Sequence, residues 1–89
     1  MLERDVVKKI RNYLKDEGYL TFNVIECVPS GVPDMIVISP TGEHTYLEIK
    51  RPGGRTQPNQ DYFIDKLRTR NCRVYVISSL ERVKEIFNG

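Results

Sequence analysis

Apolar residues recur at helical spacing through the first part of the chain, at Leu2, Val6, Val7, Ile10, Tyr13 and Leu14, and Gly18 stands where such a helix would stop. From Leu20 to Val28 the residues favour extended structure, with Leu20, Phe22 and Val24 alternating against Thr21 and Asn23, which predicts a first strand. After Pro29-Ser30-Gly31 the stretch Asp34 to Ile38 is almost wholly apolar, so a second strand is expected, covered on both faces. Pro40-Thr41-Gly42 turns the chain into a third strand, His44 to Lys50, which Pro52-Gly53-Gly54 ends. A second helix is expected from Pro58, a residue suited to a first helical turn, to about Arg70, on the stripe Phe63, Ile64 and Leu67. Val74 to Ile77 predicts a short fourth strand. Ser78 with Glu81 reads as a capping box that opens a last helix burying Leu80, Val83 and Phe87. The order αβββαβα makes an α/β fold, a mixed sheet flanked by helices, in one domain over residues 1–89.

Composition narrows the possibilities. With 89 residues, 39% apolar and 29% charged, the chain has no room for a separate cofactor-binding domain. A globule of this size buries only about 60% of the surface its unfolded chain exposes, so a partner subunit would add stability and a homodimer is expected. The longest apolar run, Val74 to Ile77, falls far short of the roughly 18 residues of a membrane span. The chain opens on Met1-Leu2-Glu3-Arg4-Asp5, charged at once and unlike a signal peptide, and a cytoplasmic protein is expected. Cys27 and Cys72 are then expected as reduced, buried thiols, and together with His44 they lack metal-site spacing. The net charge is only +2, but Lys50 to Arg73 holds seven basic residues against two acidic ones. That basic side suits a polyanionic partner, or is simply a solvated helix face.

Polar residues at positions that call for apolar ones carry the candidate chemistry. The three-residue loop Pro40-Thr41-Gly42 pairs Ser39 with Glu43 and, continuing the register, Asp34 with Glu48. Side chains so opposed have Cβ atoms about 4.5–5.5 Å apart, where like charges are destabilising and a cation reverses the sign. Lys50, two residues past Glu48, shares its strand face. The group reads either as a salt-bridged cluster or as a divalent metal site with two carboxylates and the Ile49 carbonyl. Glu3 interrupts the first helix's apolar arc: at roughly 100° per residue it lies near 300°, inside an arc from about 200° to 340°. It is either a first-turn charge that favours the helix dipole or another acidic oxygen near the site. Gln60 begins the core series Gln60, Phe63, Ile64, Leu67 and must find a backbone partner or a ligand. Between Lys50 and Gln60 the loop Arg51-Pro52-Gly53-Gly54-Arg55 is either plain surface or a phosphate contact, glycines permitting close approach and arginines supplying charge.

Pro33-Asp34, a strand-turn-strand, then Glu48-Ile49-Lys50 resembles the PD-(D/E)xK nuclease signature. With Gly31, the basic glycine-rich loop, Gln60 and an acid in the first helix, the set is similar to the VRR-NUC family, and the element order agrees over most of the chain. The resemblance implies a restriction-endonuclease-like αβββαβ core and a Mg²⁺-dependent phosphodiesterase, with Mn²⁺ as a substitute. It implies Asp34 and Glu48 as metal-binding carboxylates with the Ile49 carbonyl as a further ligand. Lys50 would be the lysine of the attacking water, Glu3 the first-helix acid and Gln60 the supporting glutamine. Arg51, Gly53, Gly54 and Arg55 would contact DNA. The chain resembles the stand-alone phage and bacterial form, associated with homodimers and branched DNA such as four-way junctions, and a bacterial or phage-infected cytoplasm is the implied setting. Lys50 would act as a base or as an electrostatic stabiliser. The alternative is a nucleic-acid-binding module that keeps the fold without catalysis, and RNA stands beside DNA as a substrate.

Overall fold

The structure, a computed structural model, describes residues 2–88, so the expected domain bounds at 1 and 89 lie just outside it. Seven elements follow in order: α1 (Glu3–Asp16), β1 (Leu20–Asn23), β2 (Met35–Ile38), β3 (His44–Ile49), α2 (Pro58–Arg68), β4 (Arg73–Ile77) and α3 (Leu80–Asn88). The strands form one sheet in the order β1-β2-β3-β4. The first three are antiparallel neighbours, and β4 runs parallel to β3 after the α2 crossover. The expected mixed sheet flanked by helices is the observed one.

Helix α1 ends as its glycine directs. Gly18 takes φ +89°, and the paired bonds from Tyr19 N–H to Leu14 O (2.9 Å) and from Gly18 N–H to Lys15 O (3.1 Å) close the last turn. Asn71, at φ +62°, ends the turn after α2 through the equivalent pair of bonds to Leu67 and Arg68. At the start of α3 the cap is Ser79, whose Oγ accepts the Arg82 N–H at 3.2 Å, and not the expected Ser78. One residue separates the two candidates, and only the chain's path into the helix decides between them.

Helices α1 and α3 cover one face of the sheet. Val6, Ile10 and Leu14 pack with Met35, Val37, Leu47, Ile49, Ile77 and Val83 into a single buried cluster, each large side chain contributing about 1.5–3 kcal/mol. Helix α2 lies against β4, with Ile64 buried. It leaves the β1–β2 part of that second face open. Ile36 and Ile38 are half-buried where full cover was expected. In β1, Leu20 and Phe22 are 59% and 45% exposed, so the apolar side of that strand is the free one. The strand also stops at Asn23 instead of Val28: β2 begins only at Met35, and after one last bond from Val24 N–H to Asp34 O at 2.6 Å the following residues have no strand to pair with. Cys27 therefore sits exposed in the connecting loop and Cys72 is half-buried, and both thiols are free.

Candidate metal centre

The β2–β3 hairpin sets the site. Ser39 N–H bonds to Glu43 O at 2.9 Å, Gly42 takes φ +87°, and Met35 pairs with Leu47. One step further along the same ladder, Asp34 stands opposite Glu48, the register that the turn predicts. Asp34 lies just before β2, and its Oδ2 accepts the Ile49 N–H at 2.9 Å, so a side chain takes over where the backbone ladder ends.

Strand β3 is central, and side chains on both of its faces are enclosed. Leu47 and Ile49 point into the main core, while Glu48 points to the opposite face and is fully buried there. Its two oxygens have different fates. Oε2 pairs with Lys50 Nζ at 3.2 Å and accepts a hydrogen bond from Gln60 Nε2, also at 3.2 Å. Oε1 is buried without a hydrogen-bond partner, the one such side-chain atom among the described residues. Burial first, and the adjacent Asp34 carboxylate second, push the Glu48 carboxyl up to about 7, against a smaller lowering from Lys50.

Gln60 reaches this point because α2 starts where it does. Pro58 opens the helix, and Gln60 Oε1 accepts the Gln57 N–H at 2.8 Å, which leaves the amide NH₂ to donate to Glu48. The first turn of α2 is in turn seated on the loop before β2. Gly31, at φ +96°, brings its backbone so close to Asn59 that a Cβ there would lie 2.6 Å from Asn59 O.

Asp34, Glu48, Lys50 and Gln60 thus converge, with the Ile49 backbone between the two carboxylates. Glu3 stands apart, half-buried in the first turn of α1. It lines a groove of about 640 Å³ together with Arg4, Lys8, Arg11, Asn23 and Asp34. Among the described residues no three of His, Cys, Asp and Glu come together as a metal-holding group, so Glu3 does not join the carboxylate pair. The loop after Lys50 is a tight turn, Gly54 N–H bonding to Arg51 O at 2.8 Å, with Arg51 and Arg55 exposed on its two arms. Gly53 takes φ +80° within it, and a Cβ on Gly54 would lie 3.0 Å from Arg51 O. Exposed His44 begins β3 at the end remote from Glu48.

The groove's basic wall was not anticipated. Counting charge by stretches of sequence hides it, whereas plotting α1 by helical angle brings Arg4, Lys8 and Arg11 onto one side.

A divalent cation suits what is present. An unpartnered buried acceptor and a second carboxylate raising its neighbour's pKa are hard oxygen donors in need of positive charge. Two carboxylates with the remaining positions left to water and phosphate is a donor set that Mg²⁺ accepts.

The VRR-NUC domain family model matches residues 5–81. A solved structure described as a VRR_NUC domain is similar over 97% of this chain and 94% of its own, at 26% sequence identity and a TM-score of 0.86. Comparison with curated proteins gave no match.

Proposed function

The chain belongs to the VRR-NUC domain family, a nuclease-type family whose ligand is nucleic acid, and from that membership we propose that it is a divalent-metal-dependent endonuclease hydrolysing DNA phosphodiester bonds. The observation that carries the reading is Glu48: fully buried, one oxygen held by Lys50 and Gln60, the other without a partner, and Asp34 opposite. A carboxylate kept in this condition costs stability, which a bound cation offsets.

Asp34, Glu48 and the Ile49 carbonyl are the residues that would hold Mg²⁺, with Mn²⁺ as a substitute. Once bound, such an ion acidifies a coordinated water and neutralises charge on the scissile phosphate. Lys50 supplies an ammonium beside Glu48 and stabilises the negative charge that develops on the phosphate. Gln60 acts on the reaction through Glu48: with Lys50 it fixes the carboxylate's orientation and directs the free oxygen away from them. Glu3 adds negative potential from across the groove. Arg51 and Arg55 make charge-assisted contacts with DNA phosphates, and Gly53 and Gly54 let the turn between them approach the backbone.

One such site cuts one strand. Paired incisions require two, and a homodimer acting on branched DNA such as a four-way junction is the arrangement that supplies them. The open apolar strip of Leu20, Phe22, Ile36 and Ile38 supports a contact between two copies. No helix among the described residues is long and apolar enough to cross a membrane, and a cytoplasmic setting is part of the proposal.

The test incubates the protein with linear, single-stranded, flap and four-way-junction DNA, in Mg²⁺, Mn²⁺ or EDTA, beside Asp34→Asn and Lys50→Ala. Cleavage is expected with either metal, none in EDTA, and a loss of about 10²-fold or more in each variant. Cleavage that survives EDTA or Asp34→Asn removes the proposed site. Binding without cleavage under every metal condition leaves a non-catalytic nucleic-acid module instead.

A further inference from the structure

Helix α1 carries five of the basic residues outside the Lys50–Arg73 stretch: Arg4, Lys8, Lys9, Arg11 and Lys15. At roughly 100° per residue, four of them, Arg4, Lys8, Arg11 and Lys15, fall within an arc of about 60°, and no acidic residue of the helix shares it. Among the described residues none of the four makes a salt bridge, the pairs present being Lys50–Glu48, Arg73–Glu43 and Arg82–Glu85. Arg4, Lys8 and Arg11 line the groove that Glu3, Asn23 and Asp34 also line. Asp5 is the other acid on that wall, and its Oδ2 is turned to the Leu2 N–H at 3.4 Å. A solvated helix face commonly mixes its charges or pairs them at i, i+4. This one keeps a single sign, without partners, beside the carboxylate at the centre of the candidate site.

We infer that the Arg4–Lys8–Arg11–Lys15 stripe of α1 is a track for the phosphodiester backbone, leading a nucleic-acid strand to or from the Asp34–Glu48 centre. The inference rests on the nucleic-acid reading above and adds a second basic wall, distinct from the Arg51–Arg55 loop. Its four cations span about 16 Å of helix, the rise of roughly five nucleotides of one strand at 3.4 Å each. Cations on such a track are read as charge and not as base identity, so binding through it is strongly dependent on salt and indifferent to sequence.

Binding of a fluorescein-labelled 20-base-pair duplex is measured by anisotropy in EDTA across a salt series, for the wild type and Lys8→Gln/Arg11→Gln. Each phosphate contact contributes about 0.9 to the slope of log K against log salt, so the double variant is expected to lose about 2 from the slope and at least tenfold in affinity. Lys9→Gln/Lys84→Gln, with the same change in net charge off the arc, is expected to keep the wild-type slope. Lys8→Arg/Arg11→Lys, which exchanges the cations, is expected to restore it and guards against a loss that comes from misfolding. A wild-type slope in Lys8→Gln/Arg11→Gln, or an equal loss in the Lys9/Lys84 control, overturns the track. If that happens while Arg51→Gln/Arg55→Gln lowers the slope and the wild type still cuts DNA, the nuclease reading stands without it. If the stripe variant loses slope but no metal supports cleavage, the track stands and the hydrolase reading falls. Absence of salt-dependent binding by the wild type ends both.

Discussion

Glu48 shows how a single residue can be costly to the fold and central to the site. Its carboxyl is raised to about 7 from the ordinary 4.5, by burial and by Asp34. Between those two values the unfolded chain has released a proton that the folded chain still holds, so stability falls as pH rises through this window and is flat above it. The difference corresponds to a loss on the order of 3 kcal/mol. Thermal melts from pH 4.5 to 8 are expected to show that decline in the wild type. Glu48→Gln, which cannot ionise, should flatten it while abolishing cleavage. Millimolar Mg²⁺ is expected to raise the melting temperature of the wild type at pH 8 and to leave Glu48→Gln nearly unmoved, because only a ligand that binds the folded form stabilises it. A wild-type melt that is level across the window would show that Glu48 is not held at a cost. The opposition of Asp34 and Glu48 was legible in the sequence, since a three-residue turn dictates its own register. The division of labour between Oε1 and Oε2 was not, since it follows from where α2 sets Gln60.

At the scale of elements, punctuation in the sequence is reliable where it is local. Gly18 ends α1, Pro58 opens α2 and Gly42 turns the hairpin, each by a backbone requirement that its own neighbours satisfy. Prediction failed where the answer lay in a distant segment. Ile25 and Val28 are strand formers that lie past the last β1–β2 bond, with no strand beside them, and the choice of Ser79 over Ser78 depends on the path out of β4. Gly31 shows both kinds of constraint at one position: a positive φ, and the backbone of Asn59 where a side chain would begin. Gly42 shares only the first, with open space around it. Gly42→Ala is therefore expected to cost about 1–3 kcal/mol in urea denaturation, the ordinary cost of a strained left-handed residue, and to leave cleavage by the folded protein intact. Gly31→Ala should cost more than that, and cleavage should fall beyond what the folded fraction accounts for, because the first turn of α2 must shift and takes Gln60 from Glu48. Equal behaviour of the two variants would separate the loop before β2 from the positioning of Gln60.

Over the whole molecule, the two faces of the sheet have unequal fates. Among the described residues three helices cover four strands, and the sequence announces these elements without saying that α2 would settle over β4. That placement leaves Leu20 and Phe22 exposed beside Ile36 and Ile38 on an edge strand of four residues. Exposed apolar strips of this kind mark contacts, and a short edge strand limits open-ended pairing with further chains. The single chain has the dimensions of a globule: its radius of gyration is 12.4 Å, against about 12 Å for a globule of this length. Association would therefore join folded subunits, and breaking it should release a folded monomer. Phe22→Glu tests this, placing a charge at the middle of the strip where no main-core side chain is touched. Sedimentation at micromolar concentration is expected to find a dimer for the wild type and a monomer for Phe22→Glu, with the melting transition of the variant still cooperative. The monomer should keep the ability to nick one strand and lose paired cuts in a four-way junction, since its single site then meets the DNA alone. A wild type that sediments as a monomer, or a monomeric variant that still makes paired cuts, would assign the strip some other role and leave each chain to work by itself.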